Sequence, residues 1–563
     1  REKEESNIKI LTTQNITPEL NLTLMYTRNG SKGMLRNEDT DNRNAVVNVE
    51  NDYNPEVIEA EKKIFTPSDE TVTDNDPMTL LFSKTGKAYN GFTSETDITD
   101  AMPQKEKAFP GYARLGYGLT NDIDAKIAYR NNLGKNGTYK VYAGLDGYKS
   151  NIDGLFSKWN SRLYQTTAGV GYTQRFNSLT LGIDGAFKNN VFNYQSTDVI
   201  PTDLTDKQDG QNYKVAINGV SNLSGALSYN FKGDFEYITR NWSSGKKAPI
   251  GEMRYGITTG FNYEMLTKYV NSIGIDLGMD AYTYNTTLKS ADMGYNTHFS
   301  IDVDPHTNLA LGNWNLKAGV KMNIITTGRG AFSIAPDFEV YSNVKENISV
   351  YGSITGGRTE NSFAKMESIT PYWGCARGEN GRLKPTYRIV DINLGSRITF
   401  EPLSMEFNAG YAYTQDDLLE TLQPLEHKLL FVNFGQDDTH HAYAALKVGC
   451  DWRSWVKLSA DARYDFWNCN NDHLLVMKPE VTVDANAEAR IIENLTMRVG
   501  YNFTLYTKSE TRGRINNKND LYARISYQIN KRFGAYIQGN NLLNCNYYDY
   551  AGYVTRGARG SLG

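Results

Sequence analysis

Nowhere do the 563 residues supply the roughly 18 consecutive apolar positions that a membrane-spanning helix needs, and the mean hydropathy is -0.54. A transmembrane helix is excluded. Cysteines are few, Cys375, Cys450, Cys469 and Cys545, and without CxxC spacing they read as incidental; a pairing such as Cys450 with Cys469 stays open. An excess of either charge is missing too: 60 Lys and Arg against 64 Asp and Glu leave a net charge of -4. That is a mixed surface, not the basic face a nucleic-acid partner requires. No charged-then-apolar leader precedes Arg1, which fits a mature chain or one without a signal peptide.

What the chain has in quantity is tyrosine, 38 residues against 7 Trp and 22 Phe, together with 49 Gly and only 15 Pro. Tyrosine joins an apolar ring to a wet hydroxyl, so it suits strands, carbohydrate surfaces and membrane boundaries. Pattern decides among these. From about Ala113 onward, apolar and polar residues alternate with period two. Leu495, Met497, Val499, Tyr501, Phe503 and Leu505 interleave with Thr496, Arg498, Gly500, Asn502 and Thr504. The same rhythm runs from Val456 to Phe466, from Leu403 to Tyr413, from Leu179 to Phe187 and from Leu521 to Ile529. Such runs exceed the five or six residues of a typical soluble strand and match the roughly nine to eleven that cross hydrocarbon at a tilt.

The connections are of two kinds. Asn121-Asp122, Phe176-Asn177-Ser178, Glu493-Asn494 and Lys531-Arg532 read as minimal turns, whereas 196–211, 358–386 and 508–519 are long and polar. Short turns on one rim and long loops on the other are the mark of an outer-membrane barrel. Lipid offers the backbone no hydrogen-bond partners, so only a closed sheet or a helix can span it. The expected fold is therefore all-β, a transmembrane antiparallel barrel over 111–563 with roughly 14 to 22 strands. Arg498, Asn502, Asp461 and Arg463 would line its lumen. Residues 1–110 read as an extended, mostly irregular arm, periplasmic or lumenal, with one strand-like piece at Leu20, Leu22, Leu24 and Tyr26.

Particular stretches carry a resemblance. NNLLNCNYYDYAGY, from Asn540, resembles the last hairpin of TonB-dependent receptors, and NGRLKPTYRIVDINLG, Asn380 to Gly395, looks like the segment by which these receptors run from an outer loop into a strand. NVENDYNPEVIEAEKKIFTP, Asn48 to Pro67, and GYARLGYG, Gly111 to Gly118, are similar to receptor-like barrels of Bacteroidota. The resemblance implies an outer-membrane location in a Gram-negative bacterium. It stops at the arm, which is shorter than the plug such receptors thread through their lumen, so the expectation is a plugless barrel. Ala45-Val46-Val47-Asn48-Val49 is a weak match to a TonB-binding box. The last residues, Ser561-Leu562-Gly563, lack the alternating stretch and terminal aromatic of such barrels, so the closing strand is expected to be incomplete.

Chemistry is thinly represented. Asp437-Asp438-Thr439-His440-His441 offers imidazoles and carboxylates, yet adjacent residues on a strand face opposite ways, and the stretch reads as an exposed loop between strands. His298 and His306 have no nucleophile in a recognisable frame. Neither catalytic, metal nor cofactor residues are assigned, and the chain is expected not to be an enzyme. Tyr372, Trp373, Trp452 and Trp455 suit either a sugar ligand or the membrane interface.

The expected function is that of a non-enzymatic subunit or scaffold in a larger outer-membrane complex, such as one for protein assembly or secretion. Asp52, Tyr53, Asn54 and Pro55 would dock periplasmic or surface lipoproteins or another barrel, while the wall meets the bilayer and lipopolysaccharide. The alternatives are a porin-like or TonB-dependent uptake channel for a nutrient, and a membrane-embedded hydrolase.

Overall fold

The computed structural model describes residues 4–17 and 20–32, and 110–563 apart from 154–157, 196–206, 223–225, 244–246, 266, 286–294, 327–331, 375–382, 423–429, 431, 476 and 507–516. Among the described residues, 22 antiparallel strands close into one barrel, each paired with its sequence neighbour from Gly111–Gly118 round to Arg559–Leu562. The count lies at the upper edge of the sequence expectation. Closure is made by Ser561 opposite Gly118 and Leu562 opposite Tyr117, so the last strand contributes four residues to the wall. Glu4–Thr17 and Leu20–Lys32 pair as a separate two-stranded sheet that contains the strand-like piece read from Leu20 to Tyr26.

The wall obeys the period-two reading. Leu115, Ile257, Leu394 and Ile537 are each more than 60% exposed on the outer face, while their neighbours Arg114, Asn393 and Gln538 are buried toward the lumen. An isolated sheet with this outer surface would be insoluble; in lipid the same surface is matched, and the closed ladder leaves no edge. All five alternating runs face as the sequence predicts. Asn502, for example, lies opposite Asp484 and Asp520 on the inner side, and Phe503 opposite Val483 on the outer.

Inside, charges are paired. Arg254 bridges Asp234 (2.9 Å) and Asp280 (2.7 Å), and Lys317 and Lys321 converge on Asp337 at 2.7 and 3.2 Å. Such pairing is what keeps buried charge tolerable.

The two rims differ as expected. At one, the connections run from two residues (312–313) to five (265–269); at the other they reach the 26 residues between Thr359 and Thr386. One expectation needs correcting: the Asn121-Asp122 turn lies on the long-loop rim, because the first strand runs upward from the short-turn rim and returns there. A second correction concerns Asp437 to His441. This stretch is not a loop but part of the 21-residue strand Val432–Trp452, which continues past the apolar belt and so carries polar residues. Cys450, Cys469 and Cys545 are free thiols; Cys375 falls outside the described residues.

Candidate functional site

The buried apolar clusters sit at the long-loop mouth, not at the middle of the lumen. Three segments fold inward there. The first is the 360–374 stretch, which carries a short helix, Phe363–Ile369, started by Ser362, whose side chain accepts the amide of Lys365 at 3.2 Å. The second is the beginning of the strand Val432–Trp452 with Leu430 before it. The third is the tyrosine-rich segment 541–558, which contains the small hairpin Tyr548–Tyr550 and Tyr553–Val554.

Each inward segment is tied to the wall and to the others. Trp373 bridges to Val432, with Val432 N donating to Tyr372 O at 3.0 Å and Gly374 N to Val432 O at 2.9 Å. The Tyr553 ring stacks on Tyr372 with centroids 3.8 Å apart, and its hydroxyl donates to Leu430 O at 2.5 Å. From the wall, Tyr194 donates to Trp373 O at 3.0 Å and the Glu252 carboxylate accepts the amide of Phe363 at 3.0 Å. Burial pushes the Tyr372 and Tyr553 hydroxyls well above their ordinary range and pulls the Lys365 ammonium down to about 8.

Arg240 is the centre of this arrangement. Its guanidinium lies 4.6 Å from the centroids of both Phe192 and Trp373, pairs with Glu367 at 3.5 Å and donates to Pro371 O. Glu367 is held in turn by Asn190 Nδ2 at 2.5 Å and by the indole of Trp373. A buried cation between two rings, with its carboxylate on the inward loop, fixes that loop to the far wall.

The closing stretch from Asn540 is held in place by its own side chains and by the wall. Asn541 adopts a positive φ of 47°, which asparagine tolerates, and its side chain donates to Cys545 O and Arg556 O (both 2.9 Å) and accepts from Cys545 N at 3.0 Å. Arg556 stacks over Tyr148, 3.6 Å from its centroid, and pairs with Asp122. Between this segment and the wall lies a narrow, partly open cleft lined by Asp146, Tyr148, Trp159, Tyr550, Arg556 and Arg559 among others. The Nη1 atom of Arg559 is buried there without a hydrogen-bond partner among the described residues.

The residues singled out from sequence separate. Tyr372 and Trp373 join the mouth cluster, whereas Trp452 and Trp455 stand about half exposed at the short-turn rim, at the membrane boundary. His440 faces outward against Tyr413, and His441 faces inward, stacked on Trp467 at 3.6 Å with Nε2 2.6 Å from Asp465. His298 stacks on Tyr282 and lies 3.5 Å from Glu360; His306 lies 3.6 Å from Asp276. Among the described residues no group of three His, Cys, Asp or Glu side chains is placed to hold a metal. Asp52, Tyr53, Asn54 and Pro55 lie outside the described residues, as do Ala45 to Val49. Sequence reasoning did not single out Arg240, Glu252, Glu367 or Phe192. Strand parity marks Arg240 and Phe192 as inward-facing, but nothing local says that a loop more than a hundred residues away will meet them.

No family profile matches the sequence, and no curated protein does. Solved structures do match in fold. The chain is similar to the ferric enterobactin receptor PfeA of Pseudomonas aeruginosa, at 10% identity and a TM-score of 0.61 over 80% of this chain and 79% of that one. It is similar to the FrpB iron transporter of Neisseria meningitidis, at 12% identity and a TM-score of 0.61 over 83% and 82%. The copper transporter OprC aligns at 11% identity with a TM-score of 0.59 over 82% and 81%. The shared property is the large closed barrel of outer-membrane receptors.

Proposed function

We propose that this chain is the barrel of an outer-membrane uptake receptor of the TonB-dependent type, which takes its ligand at the long-loop mouth. The observation that carries the reading is the built mouth: three segments distant in sequence converge there on aromatic rings and buried cations, over a lumen lined with paired charge. A structure so specific at one end of a transmembrane tube is suited to selective capture. PfeA is a receptor for ferric enterobactin, FrpB an iron transporter and OprC a copper transporter, and a small metal complex or nutrient is the matching class of cargo here. In the cleft, Tyr148, Trp159 and Tyr550 present ring surface, and the unpartnered Nη1 of Arg559 would donate to an acceptor oxygen of the ligand. The reading assigns no covalent chemistry to the protein.

The expectation of a scaffold within an assembly or secretion complex draws less support, since the barrels of like fold are receptors and transporters. The two readings separate in one experiment. Purified protein is titrated with ferric catecholate and hydroxamate complexes and with copper, and the same preparation, gently extracted, is weighed for partners. Saturable binding weakened by Arg559→Gln supports uptake. Absence of any such binding, together with stoichiometric lipoproteins or a second barrel, refutes it in favour of the scaffold.

A further inference from the structure

The apolar outer wall has a local exception. On the paired strands Gly137–Asp153 and Lys158–Arg175, the outward-facing residues climb from Tyr139 opposite Tyr172, through Val141 with Val170 and Leu145 with Thr166, to Gly147 with Tyr164. The two tyrosine levels are eight residues apart, about 27 Å along the strand and about 20 Å along the barrel axis at a tilt near 40°. They bracket a belt close to the roughly 25 Å apolar height of an outer-membrane barrel. One step beyond the upper tyrosine, Lys149 stands directly opposite Arg162 on the same outward face.

Two like charges in facing positions on a sheet repel, and such pairs are selected against unless something of opposite sign lies between them. Here none of the described residues does. Neither side chain has an ion-pair partner among the described residues, and Arg162 Nε is shut off from solvent without an acceptor. The neighbouring cations are satisfied: Lys140 on the same strand turns into the lumen and pairs with Asp184 at 2.8 Å, and Lys158 at the strand tip lies 3.8 Å from Asp153.

From this we infer that Lys149 and Arg162 form a seat for the phosphate of a membrane lipid on the outer wall, at the head-group level of the long-loop leaflet. A phosphate between facing strands can accept from the guanidinium fork of Arg162 and from the ammonium of Lys149 together, which turns the repulsion into a clamp. The height above Tyr164 selects a lipid head group over a soluble anion, because the acyl chains of the same molecule then lie along the Val141 to Tyr164 surface. The inference rests on the outer-membrane placement in the proposed function and not on uptake, so the two fail separately.

The test uses the full chain in mild detergent. Retention of lipid A and of phosphatidylglycerol is measured by native mass spectrometry for the wild type, for the K149Q/R162Q double variant and for Lys140→Gln, with folding checked by heat-modifiable gel mobility. The site predicts at least a tenfold loss of one phosphorylated lipid in the double variant, none in Lys140→Gln, and recovery in K149R/R162K. Which lipid is lost identifies the source of the phosphate. Equal retention by the wild type and the folded double variant overturns the inference, as does displacement of the lipid by millimolar inorganic phosphate, which would mark the pair as a general anion patch.

Discussion

Replacing Arg240 by alanine should release the inward loop from the wall. The substitution removes the cation from between Phe192 and Trp373, its donor to Pro371 O, and the 3.5 Å pair with Glu367, whose carboxylate then keeps only Asn190 and the Trp373 indole. Removing one partner of a buried ion pair costs about 3–5 kcal/mol, with the lost cation–π contacts included in the upper part of that range. Taking about 3 kcal/mol as the share that falls on loop docking, the undocked population rises about 150-fold. Lys365 lies within the docked helix, so tryptic cleavage after it reports that population directly when opening is fast relative to cutting. The assay is the rate of appearance of the fragment ending at Lys365, followed by mass spectrometry under conditions where the barrel stays intact. Glu367→Ala added to Arg240→Ala should cost less than the sum of the two, because no buried charge is left alone. A rate for Arg240→Ala within threefold of the wild type would refute the claim that this arginine latches the mouth.

Three further outcomes are expected. Burial lowers the Lys365 pKa from its ordinary 10.5 to about 8, so the open state binds the extra proton; docking is strongest above pH 10.5, weakens as the pH falls to about 8 and is constant below that. Hydrogen exchange of 363–369, corrected for its intrinsic rate, should therefore slow between pH 8 and 10, and Lys365→Met should abolish that dependence. Asn541→Ala removes three side-chain hydrogen bonds at a positive φ and should loosen 541–558 by about 2–3 kcal/mol, seen as faster exchange there, with Asn541→Gly recovering only the backbone share. Leu394→Arg on the lipid face should cost about 2–4 kcal/mol in refolding into liposomes, whereas Asn502→Arg, between lumenal Asp484 and Asp520, should cost less than about 1.

The wall was legible because its physics is local. A residue facing lipid and a residue facing water alternate every 3.4 Å, and Leu495 to Tyr506 or Val456 to Phe466 state that without reference to any other part of the chain. Rim assignment was only partly legible: a short turn such as Asn121-Asp122 does not say which rim it is on, and only counting strands from Gly111 does. The polar stretch Asp437 to His441 was misplaced for a related reason, since strands in a wide barrel outrun the apolar belt and lose their alternating signature there. The mouth was not legible at all. Its contacts join residues 179 apart for Tyr194 and Trp373 and 123 apart for Tyr553 and Leu430, and no period or motif encodes such pairings.

Whether the barrel takes up ligand through its mouth is tested most directly by energised accumulation in cells. Cells carrying the protein as their sole outer-membrane route are given radioiron-loaded siderophore complexes, with and without a protonophore. The account predicts saturable accumulation that the protonophore abolishes and that Arg559→Gln reduces. Accumulation that grows linearly with concentration and ignores the protonophore, or none above cells lacking the protein, would contradict it.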